Sequence, residues 1–434
     1  MSENLLLDQL TKEFELVKEN IHNTEAAIQQ DRLAAISKFE ELGIPTIKHE
    51  EWKYSNLRKL NTKSFDFHRE TSLSLETLGN LHYPDIEGVV LYFVNGVYHP
   101  ELSNLTQGEG KIKIMRLAEA MSEIPEIINE HYGKHSDNEN EAFTVMNTAL
   151  ANDGVVVYVP ANNTLEFPVI MRMITDTSEE NAGSVIRNLI VVGENAEVKI
   201  AESYKTIGEK EGLVNALTEI VVSADARVDY YKVQDESDAS YHIGTTNVYQ
   251  SDRSYFYSAT VTINGGFVRN NLNLKLDGEH IESFMYGLYI PNGKQHVDNH
   301  TVVDHTKPNS VSNELYKGIL MDNATGVFNG KIFVRQIAQK TNAYQNCRNV
   351  ITSPNATMNT KPQLEIWADD VKCSHGTTTG QLNDEAIFYM QSRGIPKAEA
   401  VRLQLLAFAE DVVSQIKIDN LRDYLAGKLL EKLG

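Results

Sequence analysis

The chain has 434 residues, 41% of them apolar and 8% aromatic, and a formal net charge of −20 at pH 7. Its 60 acidic side chains against 40 basic ones oppose a phosphate backbone or an anionic lipid surface as the main partner. The apolar content suffices for a buried core, which excludes a disordered acidic chain.

Two cysteines in so long a chain cannot make a secreted-type disulfide framework. The opening run, residues 1–8, has neither a basic region nor a long apolar stretch. No later segment approaches the ~20 apolar residues that a membrane span needs. The expectation is a soluble, cytoplasmic protein with reduced thiols, no nucleic-acid partner and no membrane.

In chain order, the first ~60 residues read as helical, with Leu33, Ile36, Phe39 and Leu42 near helical spacing. Gly43 and Pro45 supply the stop. Residues 89–94 form an apolar run closed by Asn95-Gly96, a strand and tight turn. Residues 117–132 read as helix, broken or restarted at Pro125. Residues 135–141 are polar and acidic, which marks a loop and places a first helical and α/β domain at 1–150.

From about Gly154 the pattern changes. Short β-branched or aromatic runs recur at 155–159, 189–192, 219–223, 228–233, 254–263, 272–276, 284–290 and 332–334. About 220 residues of this kind without obvious hairpins is long for a single sandwich, leaving a barrel or a solenoid beside it. Corners rich in asparagine or glycine, at Asn270-Asn271, Asn355 and Gly265-Gly266, suit a stacked β-helix, although no fixed-period repeat is visible. This core spans 151–376.

A helical tail occupies 377–434. Asn383 is a cap with Asp384 and Glu385 in the first turn, and Arg393-Gly394 ends that helix. Pro396 opens a second, with Val401, Leu405, Phe408 and Val412 on one face. Leu421, Leu425, Leu429 and Leu433 mark a third. Such a module is too small to be comfortable alone.

The densest chemistry is Asp369-Asp370-Val371-Lys372-Cys373-Ser374-His375-Gly376, at the junction of core and tail. In an extended strand Cys373 and His375 share a face, so thiolate and imidazole can converge on one ion, but two ligands do not complete a site. A ligand pair completed by another chain and a buried cysteine near a hydrogen-bonded histidine both stand at this point. Asp369 and Asp370 would face opposite sides of a strand and read as turn or edge residues, not as a glycosidase pair.

His296, His300 and His305 are too widely spaced for one ion and read as a ladder of hydrogen-bonded histidines. Cys347 reads as an ordinary buried thiol. The 326–331 run is only a fragment of a phosphate loop, and Ser374 lacks a nucleophile elbow, so ATPase and serine-hydrolase activities have no support.

The run from Lys361 through Trp367 to Gly376, continuing through Gly380, Asp384-Glu385, Phe388-Tyr389 and Gln391 to Ile395, resembles the SufB/SufD family of iron–sulfur cluster assembly proteins. Gly43-Ile44-Pro45, Glu51-Trp52-Lys53-Tyr54, Asn95-Gly96, Val159-Pro160 and the His305-Thr306-Lys307-Pro308 motif fit as well, so the resemblance covers nearly the whole chain. SufD members carry Cys-Ser-His-Gly here, whereas SufB members carry a Glu-His pair and an essential cysteine elsewhere; this chain is similar to the SufD side.

The resemblance implies a right-handed parallel β-helix (a β-solenoid, mainly β) between N- and C-terminal helical domains. It implies a non-catalytic scaffold subunit in a complex with a SufB-like paralogue and the SufC ATPase. The exposed ladder edge of a solenoid left without its partner can pair with a copy of itself, so a homodimer is expected of the isolated chain. It matches His375, with Cys373 beside it, to a transient iron or cluster site shared with SufB. Asp384, Glu385, Phe388, Tyr389, Arg393 and Gly394 fall in the tail that docks the ATPase. Reduced flavin belongs to the family's complex, and whether it touches this subunit stays open. A carbohydrate-active β-helix enzyme, or a purely structural SufB partner with no cluster ligand, are the alternatives.

Overall fold

The computed structural model describes residues 5–18, 26–68, 71, 73–79, 81, 83–84, 86–108, 110–136, 139–151 and 154–434. Parts of the expected N-terminal helix (residues 1–4 and 19–25) and of the acidic loop (137–138) lie outside them. Helices α1 (Leu5–Lys18), α2 (Ala26–Leu42) and α3 (Leu75–Gly79) come first. In α2 the buried face carries Ile36 and Phe39, while Leu33 is 49% exposed, so it falls outside the expected apolar stripe.

Strands β1 (Val89–Val94) and β2 (Val97–Tyr98) make a hairpin across Asn95-Gly96, both at positive φ, as a tight turn of primed type requires. Strand β3 (Lys113–Arg116) is followed by α4 (Leu117–Glu123), α5 (Pro125–His131) and α6 (Ala142–Leu150). Pro125 starts α5, where its missing N–H costs nothing.

The long β region is a parallel solenoid of about eight turns. It begins with β4 (Val155–Val159), β5 (Val169–Thr177), β6 (Ala182–Val192), β7 (Glu197–Gly208), β8 (Gly212–Val222) and β9 (Arg227–Asp235). It continues with β10 (Ser240–Gln250), β11 (Tyr255–Asn264), β12 (Phe267–Leu276), β13 (Glu282–Tyr289) and β14 (His296–His305). It ends with β15 (Val311–Leu320), β16 (Thr325–Val334), β17 (Asn342–Ile351), β18 (Thr357–Ile366) and β19 (Lys372–Gly380). From β4 onward successive strands alternate between two sheets, and from β6 each pairs in parallel with the strand two before it. Strands β1 and β2 extend the ten-stranded sheet, and β3 extends the nine-stranded one.

Inward side chains fill the space between the sheets. Val155, Val157, Met171, Ile190, Val228, Phe256 and Met285 belong to one continuous buried cluster. Fully burying such a side chain stabilises by about 1.5–3 kcal/mol. The ladder Tyr241–Phe267–His296–Thr325–Thr357 shows partners spaced unevenly along the chain. Corners of different length absorb the difference, which is why no fixed-period repeat appears in the sequence.

One stack of corners is built on left-handed residues. Asn195, Asp225, Arg253, His280, Asn309 and Lys340 all have φ between 54° and 67°. The N–H groups of Asn195, Asp225, Arg253, Asn309 and Lys340 donate to carbonyls one coil further on. Asn and Asp tolerate this conformation and Arg, His and Lys pay more for it. Gly265-Gly266 and Asn355 are corners as the sequence suggests. Asn270 and Asn271 are not: they sit in mid-β12, where Asn270 donates to Gln234 and Asn299 inside the solenoid and Asn271 bonds Arg269 and Thr245.

The tail forms α7 (Asp384–Ser392), α8 (Lys397–Val413) and α9 (Asp419–Leu433). It does not stand alone. Leu405, Ala409, Val412, Leu421, Leu425 and Leu429 bury against Tyr231, Val233, Tyr257 and Val261 on the outer face of the ten-stranded sheet. Lys317 of β15, 2% exposed, ties α8 down through Asp411 at 2.5 Å and lies over the Phe408 ring. Lys417 adds a bond to Asp229 at 2.6 Å.

Candidate functional site

Among the described residues the solenoid ends without a cap: β18 pairs only with β16, and β19 only with β17, so each terminal strand leaves one row of backbone N–H and C=O groups unpaired within the sheet. Every residue of β19 except Cys373 is exposed. An edge of this kind is a template for another chain.

Cys373 and His375 stand on this last strand, on one face as the period-two rule requires. Register identifies that face. Cys373 continues the column Ser312–Ala343, and His375 continues the column Glu314–Gln345. All four lower residues are at most 1% exposed and point into the solenoid. Cys373 and His375 are therefore the mouth of the lumen. Cys373 packs against the main core, and burial raises its thiol, partly offset by a hydrogen bond with the Ala343 backbone. A thiol held up in this way is protonated near neutrality until a metal or a base displaces the proton.

Below the mouth the lumen turns polar. Gln345 Nε2 donates to Glu314 Oε2 at 2.8 Å, and burial pushes the Glu314 carboxyl up to about 7. Cys347 lies under Thr377, fully buried beside Asn349 and Tyr289, and burial pushes its thiol up to about 12. Gly330, part of the run that looks like a phosphate-loop fragment, makes room for the Gln345 amide; a Cβ there would collide with it. That glycine serves packing.

Asp369 and Asp370 form the exposed bend between β18 and β19. The Asp370 carbonyl accepts from Lys340 N–H, and its own N–H donates to Gln339 Oε1. They converge on nothing, as expected of turn residues.

The histidines correct the single-ladder reading. His296 and His300 face outward from β14, toward the N-terminal segment, while His305 faces the lumen and bonds Ser312 Oγ at 2.9 Å. His296 contacts Ser55 Oγ at 2.9 Å, and His300 lies 3.0 Å from Asp298 and 3.4 Å from Glu51. They clamp the Glu51-Trp52 motif rather than each other. Glu51 also takes Lys331 at 2.5 Å, and hydrogen bonding to His300 leads the causes that pull its carboxyl down to about 2. Arg269 stacks over Trp52 at 4.5 Å and pairs with Asp298 at 2.6 Å. The sequence gives no local signal for this long-range clamp beyond the motif itself.

The tail residues singled out by resemblance cluster on α7 and the turn that ends it. Phe388 and Tyr389 are 73% and 62% exposed, unusual for large aromatics. Asp384 and Glu385 occupy the exposed first turn behind the Asn383 cap, which accepts from Ala386 N–H at 3.0 Å. Arg393 lies over the Tyr389 ring, and Gly394 takes the left-handed turn at φ 89°. This apolar pair is about as prominent as any on the described surface.

Among the described residues no group of three or more His, Cys, Asp or Glu side chains comes together to hold a metal ion. No described helix is long and apolar enough to cross a membrane.

Comparison with known proteins gives these features a family. Residues 5–171 match the SufBD protein N-terminal region, and residues 173–408 match the SufBD core domain of SUF-system FeS cluster assembly. A Synechocystis relative described as an iron–sulfur cluster assembly SufBD family protein is 33% identical over 96% of this chain and 94% of its own length. The iron–sulfur cluster assembly protein SufD of Escherichia coli is 30% identical, covering 90% of each chain, and that of Bacillus subtilis is 26% identical, covering 95% of each. Two adjoining family matches and relatives that align over nearly their whole length lead to one conclusion: the chain belongs to the SufBD family of iron–sulfur cluster assembly proteins.

Proposed function

We propose that this chain is a non-catalytic scaffold subunit of a SufB–SufC–SufD-type complex, and that the open end of its solenoid supplies part of a cluster-assembly site. His375 is the ligand at that mouth and Cys373 its weaker neighbour. The remaining ligands come from a SufB-like paralogue whose own solenoid end faces β18 and β19. Nascent iron and sulfide are cargo here, bound and passed on.

One observation carries the reading. The Cys373 thiol and the His375 imidazole sit on the terminal strand of the ten-stranded sheet, whose outer edge is unused among the described residues, so a partner that completes the hydrogen-bond ladder can also complete a coordination sphere. Exposed Phe388 and Tyr389 support docking of a SufC-type ATPase on α7. Because α8 is fastened to β15 through Lys317 and Asp411, a shift of the docked tails would shear the facing solenoid ends. The domain division at residues 150 and 376 fits these roles: an N-terminal cap, an assembly core and a docking tail.

The test is a cross-link. Joining the ends of the two solenoids by engineered cysteines in the reconstituted complex is expected to abolish cluster assembly while ATP hydrolysis continues. Unimpaired assembly in the cross-linked complex would contradict the reading.

A further inference from the structure

Gln345 lies directly between a buried carboxyl and the candidate ligand. It is 1% exposed, pairs in register with Glu314 on one side and with His375 on the other, and all three point into the lumen. Its Nε2 donates to Glu314 Oε2 at 2.8 Å. Glu314 Oε2 is the acceptor of this bond, which turns the amide nitrogen toward Glu314 and the carbonyl oxygen away from it. The other end, Gln345 Oε1, is buried and has no hydrogen-bond partner among the described residues. Gly330 keeps open the space that the amide occupies. Adjacent strands are ~4.8 Å apart, a span that a glutamine side chain can cover.

A histidine that binds metal through one ring nitrogen generally donates its other N–H to a carbonyl or carboxylate, which fixes tautomer and ring orientation. Gln345 Oε1 is such a carbonyl, one strand away from the imidazole and left without a donor. We propose that Gln345, held in one orientation by Glu314, is a positioning residue that accepts the His375 ring N–H and leaves the opposite ring nitrogen free for iron. The inference rests on His375 being the ligand proposed above, and extends it inward by two coils.

The chemistry separates this role from packing. Gln345→Met keeps the length and approximate volume of the side chain and removes the acceptor. Gln345→Glu keeps an oxygen in place, sharing a proton with Glu314. In the assembled complex, with this chain labelled with 15N-histidine, two quantities are read: the tautomer ratio of His375 by nitrogen chemical shift, and retention of iron(II) added alone. Gln345→Met is expected to mix the two tautomers and lower iron retention 10- to 100-fold, a typical cost of losing such a partner. Gln345→Glu is expected to stay within a few-fold of the unmodified protein.

An unchanged tautomer ratio and unchanged iron retention in Gln345→Met, with His375→Ala losing iron, would overturn this inference alone. Unchanged retention in His375→Ala would overturn both it and the site reading. Should Gln345→Met fail to fold, Glu314→Gln carries the same test, because a second amide lets Gln345 turn either way. A fixed tautomer there would overturn the proposal.

Discussion

Lys317 and Asp411 join the two halves of the molecule that the proposed function needs to move together. The lysine is 2% exposed on β15, the aspartate is on α8, and their charged atoms are 2.5 Å apart. The same strand carries Glu314 on its lumenal side. Asp411→Asn would leave a buried ammonium without its counter-charge. Because Asp411 itself is 55% exposed, a loss of about 2 kcal/mol is expected, at or below the low end for a broken buried pair. Lys317→Met, which leaves no buried charge, should cost less. Hydrogen exchange of α8 reports the difference; equal protection in both variants would contradict the latch.

Glu314 gives the fold a pH dependence of definite sign. Burial raises its carboxyl from 4.5 to about 7. The native state therefore binds the proton more tightly than the unfolded chain, and stability is lost as pH rises between those two values. Glu314→Gln is expected to match the unmodified protein at pH 4 and to exceed it by about 3 kcal/mol at pH 8, at 1.36 kcal/mol per pH unit. Chemical denaturation at the two pH values measures it, and a constant difference would refute the assignment.

Glu51 runs the other way. His300 and Lys331 pull its carboxyl down from 4.5 to about 2, so its contribution is present above 4.5 and is lost as pH falls toward 2. The side chain is 45% exposed, and solvent screening limits Glu51→Gln to about 1 kcal/mol at pH 7. The expected symptom is local: faster proteolysis within residues 43–61, with the solenoid intact. Unchanged cleavage rates would show that Trp52 on Arg269 suffices to hold the clamp.

Phe388→Ala and Tyr389→Ala address the docking tail. Both rings are mostly in solvent, so neither change should shift the melting temperature by more than a degree or two. Their combined loss is expected to weaken binding of the ATPase subunit by at least 10-fold, as removal of an aromatic anchor does. Titration of purified ATPase against the double variant decides; undiminished affinity would move the docking site elsewhere.

Legibility of the sequence followed the chemistry of each strand. Runs such as β4 and β11, rich in β-branched and aromatic residues, stood out without help. β14, β15 and β17 did not, because polar residues face both ways. Outward His296 and His300 meet the N-terminal clamp, and inward Glu314, Gln345 and Asn349 bond one another or their neighbours. The coil period was hidden for a second reason: its marker is the left-handed corner, which Asn195 and Asn309 announce and Arg253 and Lys340 conceal. The Cys373–His375 pair was visible as half of a candidate site. That it sits at an uncapped end, over a column leading to Glu314, depends on register across strands far apart in sequence, which no local pattern encodes.

The central claim is that His375 touches the nascent cluster. With 15N-histidine in this chain alone, the reconstituted complex trapped during assembly and reduced to a paramagnetic state is expected to show a 15N hyperfine coupling to the cluster. That coupling should vanish in His375→Ala, whose solenoid and ATPase binding stay intact. A cluster of normal yield with no histidine coupling from this chain would contradict the account.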